Sequence, residues 1–349
     1  MSVTREADVA AQTPDLWKTK LYAQAEKMTF FHRYEGPEGS NMPVIRVDDL
    51  EKRPGDQIFV DIVLALTGAG LTGDTDQGLL DGNEEKLVFR QNAFTTAALR
   101  HGVRWTKLGK IRINHKMRST ALNQLKKWLA GKYDDAVFKE FSGEGVTTTL
   151  PDSYKIAAGG PATAAAPSDV AAADLLDLDM ITDIKSLAKA DRRIEPIGLD
   201  DGEEIYFFVL HDYAGGELKK SADWKQAQRE ARERGKDNPV FTGALGIWDN
   251  VVLLQSDRVR KANDGVSSAP VSRNLFLGAQ ALMRGYAYYP DWTEQYFSYG
   301  EEQGIGTFSV VGEKLNIFDL TVNGGAAEAA KTAIGSLLVY SSAPTPTVT

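Results

Sequence analysis

MRSTALNQLKKWLAGKYDDAVFKEF, residues Met117 to Phe141, repeats its apolar side chains at Ala121, Leu122, Leu125, Trp128, Leu129, Tyr133, Ala136 and Phe138. That spacing predicts a helix. With Asn114 as N-cap and Gly143 as the stop, it would be about 38 Å long, the span of a whole domain. Gly131 costs an interior helical turn ~1 kcal/mol, so a first helix ending there and a second capped by Asp134 is the alternative. The outer face carries Arg118, Lys126, Lys127, Lys132 and Lys139, a basic stripe in an acidic chain.

The chain has 349 residues, no cysteine, 42% hydrophobic residues and a formal charge of -8. This is globular composition with material for one large or two small cores. Disulfides, thiolate metal sites and cysteine nucleophiles are excluded. The acidic balance argues against wrapping nucleic acid through its phosphates. No apolar run reaches the ~18 residues that span a bilayer, and the N-terminus lacks a signal-peptide pattern, so a soluble product made in the cytoplasm is expected.

Upstream of the helix, Asp56 to Leu66 alternates Ile58, Val60, Ile62, Leu64 and Leu66, the pattern of a strand. A glycine-rich stretch with five acids follows, Asp74, Asp76, Asp81, Glu84 and Glu85, and Leu87 to Trp105 returns as a second extended run. Two long arms around an acidic tip result. Asp74, Asp76 and Glu85 fit three positions of a calcium loop, but Leu79 replaces the sharp-turn glycine. Gly68, Gly70 and Gly73 match a dinucleotide fingerprint, yet acids stand where phosphates would need a helix N-terminus. A solvated or partner-facing loop fits better.

The N-terminal residues to Glu51 alternate apolar clusters (Leu16, Trp17, Leu21, Tyr22; Phe30, Phe31) with polar spacers. They read as an extended arm whose aromatics bury against its own subunit or a neighbour, or as a helix over Asp15 to Met28 packed on the chain's own core. If Trp17, Leu21, Phe30 and Phe31 serve a neighbour, removing the residues before Asn41 should leave a folded monomer.

Downstream, Gly143 to Val170 reads as a linker, with a helix capped by Ser168 or Asp169 running to Ala188. Glu204 to Leu210 reads as a strand, Asp212 to Gly216 as a turn, and Ser221 to Arg234 as an amphipathic helix. Val251 to Leu254, Leu275 to Leu277 and Phe308 to Leu320 read as strands, and the tail from Ser341 as disordered or a peripheral contact. The aromatics from Tyr286 to Tyr299 have little basic charge beside them, so core or subunit contact is favoured over base or sugar stacking.

GAGLTGDTDQGLLDGNEEKL (Gly68 to Leu87), the alternating run after it and the long basic helix resemble the major capsid proteins of tailed phages of the N-four type. The resemblance continues in DWKQAQREARERGKDNPVFTGALGIWDNVVLLQSDRV (Asp223 to Val259) and RNLFLGAQALMRGYA (Arg273 to Ala287). It implies an α+β chain of the Hong Kong-97 capsid fold. Its parts would be an N-terminal arm (1–50), an E-loop (51–105), a peripheral domain with a spine helix (106–195), an axial domain (196–317), and a return to the peripheral domain with a tail (318–349). The implied function is a coat protein, located in the virion, that closes on itself in hexamers and pentamers around double-stranded DNA. Its implied partners are a separate scaffolding protein, a portal and a decoration protein, with no sequence-specific DNA contact and no membrane.

No catalytic, metal or cofactor residue is expected. His211-Asp212 beside Glu203 and Glu204 is the best acid-base cluster, but it reads as a strand-end turn. The competing functions are a glycan-processing hydrolase using paired Asp and Glu and a host-surface binding module of a virion. For the shell reading, the contacts expected between subunits are Trp17, Phe30 and Phe31 of the arm, and the tip acids Asp74, Asp76, Asp81, Glu84 and Glu85 landing on Lys126, Lys127, Lys132 and Lys139.

Overall fold

The computed structural model describes residues 28–47, 57–63, 84–112, 117–144, 150–200, 203–226, 245–320 and 330–346. In chain order the first elements are β1 (Glu35–Pro37), β2 (Val44–Val47), β3 (Gln57–Val63), β4 (Phe89–Thr95), β5 (Ala97–Thr106), α1 (Lys107–Arg112) and α2 (Met117–Ser142). Then come β6 (Lys155–Ala157), α3 (Leu178–Ala190), β7 (Gly198–Asp200), β8 (Glu203–His211), α4 (Asp212–Lys220), β9 (Gly246–Trp248) and β10 (Val251–Ser256). The chain continues through β11 (Lys261–Ala262), β12 (Val271–Leu277), β13 (Leu282–Phe297), β14 (Glu302–Leu315), β15 (Ile317–Phe318), β16 (Thr332–Ala333) and β17 (Ser336–Ser342).

Helix α2 is single and unbroken across Gly131. A β-carbon at that residue would lie 3.4 Å from an Arg258 guanidinium nitrogen, and Arg258 donates to the Gly131 carbonyl at 3.1 Å and to Asp135 Oδ1 at 3.1 Å. The Gly131 carbonyl and the Asp135 carboxylate anchor this cross-link from the segment after β10. At its end Gly143 takes φ +71, its N–H donating to the Glu140 carbonyl while the Glu144 N–H reaches back to that of Lys139. This double bond from a left-handed residue is the Schellman stop. Asn114 lies outside the described residues.

Two sheets share the helix. A five-stranded sheet in the order β1-β2-β13-β14-β5 runs beneath α2, and a larger one in the order β6-β17-β12-β8-β10-β9 packs against α3 and α4. The long ribbon β13–β14 buries Tyr286 and Trp292 against α2; a bulge after Tyr286 turns Tyr288 to the exposed face, and Tyr296 lies exposed farther along the face that carries Trp292. In its first half α2 buries one stripe, Ala121, Leu125 and Leu129; in its second it buries Val137, Phe138, Glu140, Phe141 and Ser142, nearly all round, where both sheets meet it.

Several expectations change. The ribbon 282–315 was expected in the axial stretch but belongs to the sheet beneath the long helix. Residues 336–342 were expected on the peripheral side or in a loose tail but form an inner strand, paired with β12 and β6 and buried at every position. The chain crosses between sheets, so contiguity in sequence does not mark the boundary. Pro167–Asp169 makes only a short 3-10 turn. Helix α3 starts later, where Asp177 accepts from the Met180 N–H at 2.8 Å. Asp212 opens the helix α4 rather than a turn. Of the helix expected over 221–234, residues after Gln226 lie outside the described ones.

Phe31, expected to serve a neighbour or the chain's own core, is buried in its own chain, and Phe30 is half-buried beside it. Phe31 is fully buried among Val137, Phe138 and Phe141 of its own chain, with Phe30 packed against Phe138, and the Phe30 N–H donates to both Asp134 carboxylate oxygens at 2.9 and 3.0 Å. The large apolar surface of α2 draws them in. Truncation before Asn41 would remove Phe31 from the subunit's own core.

Buried charge completes the packing. Arg284 of β13, 1% exposed, reaches Glu35 of β1 at 3.2 Å, Glu313 of β14 at 3.4 Å and the Tyr133 carbonyl of α2 at 3.3 Å. Removing one partner of such a cluster leaves uncompensated buried charge, a loss of ~3–5 kcal/mol. Arg284→Met should lose about that much in urea unfolding; a loss under about 1 kcal/mol would contradict the bracing role. Burial pushes Glu313, Glu140 and Asp134 above the ordinary carboxylate range, opposed respectively by Arg284, the Leu315 N–H and the Phe30 N–H. A carboxyl raised on folding stabilises fully below its unfolded pKa and loses that contribution as pH rises through the folded one. Glu140→Gln keeps an acceptor for the Leu315 N–H and removes the titration. It should raise the Tm near pH 8 and leave it unchanged near pH 4; an unaltered Tm near pH 8 would contradict this.

Candidate subunit interface

Strands β3 and β4 form an antiparallel hairpin, with Phe59 opposite Ala93, Val60 opposite Asn92 and Val63 opposite Phe89. Alternation gives it two faces. On one, Val60 packs against Ile45, Val47 and Met283, and the buried Asn92 donates to the Leu315 carbonyl at 3.1 Å. Arg90, on the same face, donates through Nε to the Asp319 carbonyl at 3.0 Å, and Lys314 Nζ donates to the Ala93 carbonyl at 2.7 Å. The stem is fastened to its own subunit by packing and three side-chain bonds. The other face presents Phe59, Val63 and Phe89, each more than half exposed, with Leu87 beside them. Several large apolar side chains left in water on one ribbon mark a contact surface.

The second extended run does not belong wholly to the hairpin. After Thr95 the chain leaves it, and β5 joins the edge of the five-stranded sheet beside β14. One short break at Thr96 separates the two roles.

Among the residues expected to meet between subunits, Trp17, Asp74, Asp76 and Asp81 lie outside the described residues. Glu84 and Glu85 are exposed at the start of the return run. Lys126 is 8% exposed, and burial pulls its amine below the ordinary lysine value; it sits on the buried side of α2. Lys127, Lys132 and Lys139 are exposed. The basic stripe is thus narrower than the sequence suggests, because 100° per residue separates Lys126 from Lys127. Phe59, Val63 and Phe89 escaped notice because the strand was read for its even-numbered apolar row. The signal was there: Ile58, Phe59, Val60, Ile62 and Val63 make both faces apolar.

The acid-base cluster resolves into capping and pairing. His211 Nδ1 accepts from the Tyr213 N–H at 3.1 Å as the N-cap of α4, and Glu204 pairs with Lys189 at 2.9 Å, a bond that holds its carboxyl below the usual range. A cavity of about 350 Å³ between α3 and residues 156–162 is rimmed by Asp177, Asp179 and Asp183. Asp177 is already spent on the helix cap. Among the described residues, no helix is long and apolar enough to cross a membrane.

The architecture matches shells of known structure. The capsid of Ralstonia phage GP4 aligns with a TM-score of 0.75 at 22% identity, covering 92% of this chain and 93% of that one. The capsid of cyanophage Pam1 gives 0.76 at 22% identity, covering 90% and 92%. A major capsid protein of Pseudomonas phage KPP25 is 25% identical over 345 residues, 88% of this chain and 90% of the relative. The fold is the Hong Kong-97 capsid fold. The family model described as phage capsid protein matches residues 8–345, nearly the whole length, and the chain belongs to that family.

Proposed function

We propose that this phage capsid protein is the major coat subunit, closing copies of itself in hexamers and pentamers into an icosahedral shell around double-stranded DNA. The observation that carries the reading is the two-faced hairpin. One face is fastened to its own subunit, and the other holds Phe59, Val63 and Phe89 in solvent. A ribbon built this way is held out for a neighbour, which would cover the open face and gain the burial that the monomer forgoes, ~1.5–3 kcal/mol per large side chain.

The subunit is made in the host cytoplasm and joins a separate scaffolding protein during assembly. A portal and a decoration protein complete the particle. DNA contacts the inner face without base readout, as suits a chain of charge -8.

Expressed with its scaffolding protein, the chain should give closed shells of uniform diameter in electron micrographs. Small soluble oligomers alone would overturn the reading. Phe59→Ser with Phe89→Ser should leave subunit stability within about 0.5 kcal/mol per site, since both residues are exposed, yet abolish shells. A double variant that assembles normally would remove the hairpin face from the interface.

A further inference from the structure

Away from the hairpin, one helix is capped by a side chain that titrates. Helix α4 begins at Asp212, and its N-cap is His211, the last residue of β8, whose Nδ1 accepts from the Tyr213 N–H at 3.1 Å. Asparagine, aspartate and serine are the usual N-caps, and an asparagine or serine holds its bond at any pH. An imidazole holds it only while neutral, with its own proton on Nε2. His211 is 9% exposed, and its backbone N–H donates to Asn274 Oδ1 of β12 at 3.0 Å, which fixes it at the strand end.

Tyr213 connects this cap to the end of the chain. Its ring stands edge-on to the His211 ring, centroids 5.0 Å apart, and Lys261 Nζ of β11 lies 4.3 Å over it, a cation on an aromatic face. The same amine donates to Thr345 Oγ1 at 3.2 Å. Among the described residues that is the one hydrogen bond on the tail past Ala343, whose N–H donates to the Pro270 carbonyl at 2.8 Å. The contacts run in series: His211 fixes Tyr213, Tyr213 seats Lys261, and Lys261 ties Thr345.

We infer that His211, Tyr213 and Lys261 form a proton-operated latch, which holds the C-terminal tail at neutral pH and releases it in acid. Protonation at Nδ1 turns the acceptor into a donor facing the Tyr213 N–H, and the cap is lost. It also sets a second positive charge near Lys261, the residue that ties the tail. The charged groups facing His211 are Lys261 from β11, Asp212 from α4 and Asp257 from the segment after β10. Burial first, and then Lys261, hold the imidazole below its ordinary value, against the pull of the two aspartates. With the folded pKa below the unfolded one, the contribution is whole above the unfolded value and is lost as pH falls through the folded value. The latch is therefore shut near neutrality and opens below the ordinary histidine range. It belongs to the single subunit and stands apart from the shell reading.

The chain has no cysteine, so Pro346→Cys, at an exposed position, takes a single nitroxide in the unassembled full-length subunit. Its electron paramagnetic resonance line shape reports the motion of the tail. Between about pH 8 and about pH 4.5 the ratio of mobile to bound tail should rise about fivefold, the worth of one lost N-cap. The midpoint should coincide with the titration of the His211 Cε1 proton in NMR. His211→Asn keeps an acceptor for the cap and removes the titration, and its tail should stay bound across the range. Lys261→Met keeps the apolar stem and removes the charge, and its tail should be mobile at both ends. The latch is overturned by tail motion indifferent to pH, by a response that persists in His211→Asn, or by a Lys261→Met tail as ordered as the parent's at neutral pH. Comparing the two midpoints in the otherwise unaltered chain needs neither of these variants, and midpoints that disagree overturn it as well.

Discussion

A guanidinium sealed from water at Arg284 sets the terms for the rest of the subunit. An arginine cannot shed its proton, so its burial demands anionic and carbonyl partners from every element around it. Glu35 comes from the N-terminal segment, Glu313 from the neighbouring strand and the Tyr133 carbonyl from the long helix. One side chain thereby orders three parts of the chain that lie far apart in sequence. It also accounts for the buried acids nearby, whose carboxyls are tolerable in the interior only beside this charge or a donated N–H.

A second polar junction works at the other side of the same helix. Arg258 holds Gly131 and Asp135, while Asp134 holds the backbone of Phe30. Between them the two arginines hold α2 between the sheets. What lies in water is peripheral, with Phe59, Val63 and Phe89 on the outer face of the hairpin. Exposed pairs and exposed apolar side chains are individually weak, which suits contacts that must form reversibly and in many copies before a shell closes.

Much of this was legible in the sequence, for physical reasons that can be named. Helix α2 showed through its spacing and its Gly143 stop, because local periodicity and a left-handed terminus are written in adjacent residues. The hairpin strands showed through period-two alternation. What could not be read was partnership across distance. Nothing near Ser341 announces that the tail inserts between β6 and β12, and nothing near Phe31 announces that α2 will bury it. The bracing role of Arg284 could not be read, since its three partners lie from 29 to 249 positions away. Lys126 was misplaced by a single helical step.

The central claim is that the subunit's body is braced by its own buried charges while the proposed contact, the hairpin face, is closed by other copies. Amide hydrogen exchange, compared between the unassembled subunit and the finished shell, tests it most directly. The account requires slow, unchanged exchange at residues 129–141 and 282–286 in both states, with protection gained on assembly at 57–63. Protection gained instead along α2, with the hairpin unaltered, would contradict it.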